Sequence, residues 1–311
     1  MKSFFFIYTL VFLFSVPVLG QESFYFSQYN QNQSYFNPAY AGSNQLSQIT
    51  VFGSKQFLDN PDGPKDYFFN FNTPLGSKLG VGLQWARQQT LANNYNEFGL
   101  DLAYHLSFDA TATSRSTLSM GVHASYGKNQ FNLNSEDSSL PGKEDNGLPN
   151  FGIGFLLHNS RSYIGLSVPR LMVAVVQDDG ERANKLDFKK APVYLSAGAK
   201  IPLSNGLVWN TSALLRYISE EPVTFDLTNS IVVRDFVELG LFYRFKNVVG
   251  LLSSFKLNKS FTVGYSYHAA LLLEETSLNS GSHEFVLNYT FSLISTKGRG
   301  GRGRYKPRYR R

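Results

Sequence analysis

Four charged residues at inward positions of predicted strands are the strongest candidates for chemistry in this chain: Glu97, Asp101, Glu238 and Arg244. Carboxylates enclosed together can act as general acid and general base, and an arginine can stabilise a developing negative charge. One hypothesis is therefore a lipid hydrolase working inside a β-barrel. The alternative, which we favour, is that these side chains pair with one another and line a polar lumen.

The sequence contains no motif for a metal or a cofactor. The five histidines are His105, His123, His158, His268 and His283, and no two of them have the i, i+4 spacing of a zinc helix. The absence of cysteine excludes disulfides and thiolate metal sites. Glycine pairs such as 80–82 and 152–154 fall inside predicted strands, where small residues suit a crowded wall. We predict no catalytic residue, no metal and no cofactor, and hence a protein that is not an enzyme.

Amphipathic strands must position these residues. Segment 282–293 has one apolar face and one polar face, because successive side chains of a strand point to opposite sides. Val286 is the exception on the polar side, and the apolar face consists of Phe285, Leu287, Tyr289, Phe291 and Leu293. The pattern predicts about fourteen strands, with twelve as the alternative, at 46–56, 65–73, 79–88, 95–106, 116–131, 150–158, 162–168, 192–201, 207–218, 223–232, 236–245, 248–256, 260–268 and 282–293.

The connections between these strands alternate in length, which distinguishes a barrel from a soluble sandwich. The longest linkers, 132–149, 169–191 and 269–281, all fall on one side of the sheet. The short ones, 74–78, 159–161, 202–206 and 257–259, fall on the other, as short periplasmic turns and long outer loops do in a bacterial barrel. We therefore predict an all-β fold, a transmembrane antiparallel up-and-down β-barrel of about 14 strands over residues 46–294, with both mature termini in the periplasm.

The first twenty residues have the features of a secretory signal peptide. Lys2 precedes an apolar run at 4–19, broken by Pro17, and we expect cleavage after Gly20. The alternative is a single membrane anchor. Export, the lack of cysteine and the amphipathic strands together indicate the outer membrane of a Gram-negative cell.

Residues 21–45 break the alternation of the rest of the chain. The segment is rich in amides and aromatic residues, and Pro38 and Gly42 argue against regular structure. We expect an irregular segment packed at the periplasmic mouth, with aromatic anchors at Tyr29, Tyr35, Phe36 and Tyr40. A disordered leader is the alternative.

The tail, residues 295–311, carries the basic character of the chain. Its eight basic residues exceed the net charge of +6 of the whole chain, so the remainder is slightly acidic; they are Lys297, Arg299, Arg302, Arg304, Lys306, Arg308, Arg310 and Arg311. Such a block of like charge with glycine is predicted to be disordered. Export argues against nucleic acid as its ligand. We predict periplasmic docking on acidic proteins, lipid head groups or peptidoglycan, with a solvated tail lacking a dedicated partner as the alternative.

Several short motifs resemble the PorP/SprF family in their order and spacing. They are Ser27-Gln28-Tyr29, Asn37-Pro38-Ala39 with Gly42, Gly165 and Ser167 with Pro169, Gly264-Tyr265 with Tyr267, and His283-Glu284. The chain departs from the family pattern at Lys55-Gln56-Phe57 and at His268.

The resemblance implies a non-enzymatic outer-membrane barrel of the type IX secretion and gliding motility machinery of Bacteroidota. Its expected partners are outer-membrane lipid, the ring and motor proteins of the secretion system, and a secreted surface adhesin. A passive channel or transporter for hydrophobic or small solutes is the alternative function.

Overall fold

The structure is a computed structural model that describes residues 26–91, 93–111, 114–131, 147–176, 182–186, 190–219, 221–245, 248–270 and 281–293. The predicted signal peptide and the basic tail lie outside the described residues. Within the described part of the chain, no helix is long and apolar enough to cross a membrane.

Sixteen strands form within the described residues because apolar and polar residues alternate along most of their length. Their bounds are β1 Ser47–Gln56, β2 Lys65–Leu75, β3 Leu79–Gln89, β4 Asn93–Thr111, β5 Ser114–Phe131, β6 Gly147–His158, β7 Ser162–Val168, β8 Met172–Val176, β9 Arg182–Leu186, β10 Val193–Ser204, β11 Leu207–Tyr217, β12 Thr224–Val233, β13 Val237–Arg244, β14 Val248–Lys256, β15 Phe261–Ala270 and β16 Ser282–Phe291.

Fourteen of these strands close into an antiparallel barrel, which confirms the predicted fold. Each barrel strand pairs with its neighbours along the chain, and β1 closes the ring by pairing with β16, with Ser54 opposite Glu284. The remaining two strands, β8 and β9, form a separate hairpin within the connection from β7 to β10. The prediction treated that connection as a loop without strands, because β8 and β9 have only five residues each.

The two ends of the barrel differ in their connections, as predicted. At the short-turn end every connection has at most four residues: 76–78, 112–113, 159–161, 205–206, 234–236 and 257–260. The three longest connections all lie at the other end, which we call the long-loop end. β1 begins at the short-turn end, so the segment that precedes it enters the barrel there.

The outer face of the barrel is apolar and the lumen-facing side is mostly polar. In β16, the Phe285 side chain is 58% exposed, whereas Glu284 is fully buried. The same alternation holds in β4, where Leu100 points outward and Asp101 points inward. A soluble protein has the opposite arrangement, with apolar residues inside and polar residues outside. Apolar residues on the outer face and polar residues towards the lumen are what a barrel wall in lipid requires.

Candidate functional site: the plug and its contacts with the barrel wall

Residues 26–46, which we call the plug, lie mostly inside the barrel and emerge at its short-turn end, where residues 44–46 are exposed. Three single turns of 3-10 helix shape the segment, at Tyr29–Gln31, Gln33–Tyr35 and Pro38–Tyr40. Ser27 contacts Glu284 near the long-loop end, and Ala41 contacts His105 towards the short-turn end, where the chain enters β1. The described part of the segment therefore runs along the lumen, deeper than the mouth position expected from the sequence.

A buried carboxylate holds the first residues of the plug. The Glu284 side chain accepts hydrogen bonds from the backbone N–H groups of Ser27 and Gln28, at 2.9 and 3.3 Å. It also accepts bonds from the hydroxyls of Ser27 and Ser266, at 2.5 and 2.9 Å. Hydrogen bonds to an ionised acceptor are about twice as strong as neutral ones. We call this group of four residues the carboxylate anchor.

Aromatic side chains of the plug form a hydrophobic core inside the lumen. Phe26 lies 4.3 Å from Phe52 and 5.2 Å from Tyr35, measured between ring centroids, and Tyr35 lies 5.1 Å from Phe68. On the opposite side, Phe36 packs against Tyr194 at 5.3 Å. Val286, the exception in the alternation of its strand, points into this same core. Burying each such side chain contributes roughly 1.5–3 kcal/mol, so the cluster holds the plug strongly.

The turn at Asn37 is fitted closely to one part of the wall. The Asn37 amide donates to the Phe155 carbonyl at 2.9 Å, and its side-chain oxygen caps the next turn at the Ala39 N–H. A side chain at Gly154 would clash with Asn37, and one at Gly121 would clash with the Ala39 backbone. The wall therefore needs glycine at these positions because the plug backbone comes so near.

Further polar contacts fix the middle and the end of the plug. The Ser167 hydroxyl donates to the Phe36 carbonyl at 2.6 Å, and the His105 ring donates from Nε2 to the Ala41 carbonyl at 3.0 Å. The Tyr29 hydroxyl bonds with Ser212 at 2.9 Å. Burial raises the pKa of Tyr29 to about 12, so this hydroxyl is neutral at physiological pH.

Arg170 connects the β7–β10 connection to the plug. Its Nη2 donates to the Tyr35 hydroxyl at 2.9 Å, and the same guanidinium forms an ion pair with Glu97 on β4. The Glu97 carboxylate also accepts from the Ser125 hydroxyl at 2.7 Å. Burial raises the pKa of Tyr35 well above its ordinary value, which keeps its hydroxyl neutral beside the carboxylate.

A polar cavity of about 290 Å³ remains between the plug and the wall. Among the described residues, every side chain that lines it is polar and Glu238 is the only charged one; the others are Asn30, Gln31, Gln33, Ser34, Tyr40, Ser43, Asn44, Gln48, Thr50, Asn72, Ser254, Thr262, Asn288 and Thr290. The amide-rich stretch of the plug thus faces this cavity rather than the aromatic core.

The charged residues considered for catalysis do not converge on one place. Glu97 and Asp101 lie on β4, whereas Glu238 and Arg244 lie on β13, and each has its own partner. Asp101 pairs with His123 at 2.6 Å, Glu238 accepts from Asn210 at 3.1 Å, and Arg244 pairs with Asp226 at 2.7 Å. No cluster suited to a metal ion is found among the described residues. The arrangement is that of an internally paired lumen.

Most of the motif residues are brought together by the plug. Ser27, Gln28 and Glu284 belong to the carboxylate anchor, and Gly264 lies directly against the Gln28 side chain. The Gly165 backbone lies against the Asn37 amide. Three motif residues, Tyr265, Tyr267 and His283, are instead on the outer face, where the Tyr265 hydroxyl bonds with His283 Nδ1 at 2.8 Å. The predicted docking residues of the tail lie outside the described part of the chain.

A comparison with protein families settles the relationship suggested by these motifs. Residues 18–289 match the family described as type IX secretion system membrane protein PorP/SprF, which covers most of the chain. The chain belongs to the PorP/SprF family. It is therefore an outer-membrane β-barrel with a role in type IX secretion. Among curated proteins, a comparison finds no match.

A comparison with solved structures finds similarities to this PorP/SprF protein at low sequence identity. Omp33 of Acinetobacter baumannii is 10% identical with a TM-score of 0.41, covering 80% of this chain and 99% of its own. The monoaromatic hydrocarbon channel CymD is 10% identical with a TM-score of 0.46, and the similarity covers 89% of this chain and 95% of the CymD chain. The toluene transporter TodX of P. putida is 10% identical with a TM-score of 0.45, and the similarity covers 85% of this chain and 94% of the TodX chain. Similarities at this level do not indicate which ligands or partners this chain binds.

Sequence reasoning missed part of this PorP/SprF plug site. Arg170 was not singled out, although it directly follows the motif residue Pro169. The inward aromatic residues Phe52, Phe68 and Phe242 were missed as well. Each stands beside an outward apolar residue, so the strand is apolar on both faces at that point. Such local breaks in alternation were the available indication of a plug contact.

Proposed function

We propose that this protein is a plugged, non-enzymatic barrel of the type IX secretion and gliding machinery that supports the export or surface attachment of adhesins. The observation that carries the proposal, beyond family membership, is the plug. A lumen occupied by a hydrophobic core and a carboxylate anchor favours a scaffold that binds partners over an open conduit. Its long loops would hold the exported polypeptide on the cell surface.

The proposal gives the short-turn end a periplasmic orientation. The chain leaves β16 at this end, so the tail begins in the periplasm, close to the ring and motor proteins. The predicted docking residues, Arg299, Arg302, Arg304, Lys306, Arg308, Arg310 and Arg311, are all cationic. A polycation binds acidic protein surfaces or the carboxylates of peptidoglycan, and salt weakens that binding.

Affinity purification from outer membranes tests the proposal. A tag in the 132–149 connection leaves the tail and the short turns free. We expect both an exported adhesin and periplasmic ring components to copurify. A matched variant with every basic residue of the tail replaced by glutamine should lose the periplasmic partners and keep the adhesin. Recovery of the barrel without any secretion component would contradict the proposal.

One observation favours the alternative of a passive channel for small solutes. The polar cavity beside the plug could admit water and small hydrophilic molecules. Under this alternative, the purified barrel conducts ions in planar bilayers, and replacing Glu238 by glutamine lowers its preference for cations. If the lumen is closed by the plug, conductance appears only after the plug is released.

A further inference from the structure

Three basic side chains lie together on the outer face of the barrel near the long-loop end. They are Lys55 on β1, Lys65 on β2 and Arg87 on β3, and we call them the cation cluster. Lys55 and Lys65 are directly opposite each other in the pairing of β1 with β2. Arg87 is one diagonal step away, because Gln89 of the same strand is opposite Lys65. Opposite side chains are about 5 Å apart and diagonal ones about 7–8 Å, so the three cations are close enough to share one anion.

The described residues do not neutralise the cation cluster. Like charges directly opposite one another destabilise a sheet, and an anion between them removes that repulsion. None of the three has a carboxylate partner among the described residues. Lys55 donates instead to the Leu58 carbonyl at 3.3 Å, and the buried Nε of Arg87 has no hydrogen-bond partner within the described ranges. Asp66, the neighbour of Lys65, points into the lumen and is fully buried.

An apolar groove of about 520 Å³ lies beside the cation cluster, towards the middle of the membrane. Trp85 lines it, two residues from Arg87 on the same face of β3. The depression forms at Ala124, a small outward residue whose partners on the neighbouring strands are Leu100 and Phe151. Ligand pockets have volumes of about 300–1,000 Å³. The groove extends from β2 to β6, four strand spacings of about 4.8 Å or about 19 Å in all, which is wide enough for more than one acyl chain.

Aromatic residues place the cation cluster at the surface of the membrane. Tyr67 is opposite Arg87, and the next row towards the membrane centre contains Trp85, Phe98 and Tyr126. Such aromatic girdles mark the interfaces of a transmembrane barrel, so the cations lie at the depth of lipid head groups. As far as the structure describes β10 to β14, their outward residues near the same end are uncharged: Val193, Tyr217, Phe225, Tyr243 and Val249.

We propose that the cation cluster and the groove together bind a phosphorylated glycolipid of the outer leaflet, with phosphate at the cluster and acyl chains in the groove. Arginine binds phosphate through two parallel hydrogen bonds, and the two lysines supply further charge. Lipid tails are as apolar as the wall itself, so the groove selects by shape while the cluster supplies the preference for phosphate. A sugar that carries several chains and phosphates fits this wide site better than a two-chain phospholipid. The outer-leaflet location rests on the barrel orientation given in the proposed function.

Tryptophan fluorescence tests the proposal, because the chain has two tryptophans and only Trp85 lines the groove, whereas Trp209 faces outward on β11. The purified full-length barrel is reconstituted in vesicles of brominated phosphatidylcholine, whose acyl chains quench a tryptophan that they contact. Unbrominated lipid A is then titrated in and relieves the quenching where it binds. Trp209→Phe leaves Trp85 as the reporter, and Trp85→Phe leaves Trp209. Heat-dependent gel migration verifies that each variant forms a barrel.

We expect the fluorescence of Trp85 to recover at a mole fraction of lipid A at least about tenfold lower than that needed at Trp209. Dioleoylphosphatidylglycerol, an anionic phospholipid with two chains, should show a smaller difference between the two reporters. Equal recovery at Trp85 and Trp209 would overturn the proposal. It is also overturned if the phospholipid is as effective as lipid A at Trp85.

Substitutions separate the charge from the groove. Glutamine at all three positions of the cation cluster should remove the preference of Trp85 for lipid A. The matched control has glutamine at Lys78, Arg161 and Lys259, exposed residues of the short turns, and should retain the preference after the same loss of charge. A preference that survives loss of the cluster contradicts the proposal.

The measurement needs only the purified barrel, so it separates this proposal from the proposed function. A lipid A preference in a barrel that recovers no secretion component from outer membranes would support this site and refute the secretion role alone. A missing preference in a barrel that copurifies with its secretion partners would refute this site alone.

Discussion

Replacing Glu284 with glutamine should release the first residues of the plug while leaving the barrel intact. The side chain keeps its size but loses its charge and one of its two accepting oxygens. The hydroxyls of Ser27 and Ser266 can rotate to suit an amide, whereas the backbone N–H groups of Ser27 and Gln28 cannot. Weakening these two charge-assisted bonds costs about 3 kcal/mol, which corresponds to a roughly 100-fold larger population of undocked plug.

A cysteine at Asn32 can report this release. The residue is 2% exposed and its amide atoms have no hydrogen-bond partner among the described residues, so Asn32→Cys should disturb little. In purified outer membranes, the cysteine should react with a small maleimide roughly 100-fold faster when Glu284→Gln is added. The matched control is Glu238→Gln, the same change at a lumen carboxylate whose hydrogen bonds among the described residues all go to the wall. Equal rates for Glu284→Gln and Glu238→Gln in folded barrels would refute the role of the carboxylate anchor.

Three further predictions concern other parts of the plug. Gly121→Val should lower the yield of heat-modifiable barrel severalfold, because the added side chain meets the Ala39 backbone. Gly53→Val is the control and should be tolerated, since a Cβ there meets only a ring atom at 3.9 Å. Equal yields of the two variants would contradict this prediction. Arg170→Met keeps an unbranched side chain but removes the guanidinium, with its bond to the Tyr35 hydroxyl and its ion pair with Glu97, so proteolysis within the plug should become several times faster; an unchanged cleavage pattern would show that these contacts do not hold the plug. Tyr29 has a pKa raised to about 12 against about 10 in an unfolded chain, so its contribution to stability is complete below pH 10 and is lost as the pH rises through 12. The tyrosinate absorbance of the wild-type protein and of Tyr29→Phe should be titrated against pH. The difference between the two curves should have its midpoint near pH 12. A midpoint near pH 10 would contradict the buried position.

The sequence was sufficient to predict the wall of the barrel. A period of two fixes which side each residue faces, so the outward position of Phe285 and the inward position of Glu284 followed directly. The sorting of connection lengths then identified the two ends. Strand ends were less accurate: β4 runs from Asn93 to Thr111, whereas the prediction covered 95–106, because a strand that extends beyond the membrane loses its apolar alternation.

The interior could not be predicted from local pattern. Ser27 and Glu284 are 257 positions apart, and nothing in either neighbourhood specifies the other as a partner. The amide-rich composition of the plug indicated irregular structure but was equally compatible with a leader outside the barrel. Its place in the lumen depends on the sum of many contacts, such as Phe26 with Phe52 and Asn37 with the Phe155 carbonyl. Such contacts arise only when the whole ring is assembled.

The contact between Ser27 and Glu284 also has a consequence for biogenesis. Among the described elements, β16 is the last to be synthesised, and the pairing of β1 with β16 that closes the ring brings Ser54 opposite Glu284. The plug therefore acquires its anchor in the same step that joins the two ends of the sheet. Contacts between such distant parts of a chain form late and slowly. A chain that stops before β16 would leave the Phe26 core exposed, which gives periplasmic chaperones and proteases a simple mark of an unfinished barrel.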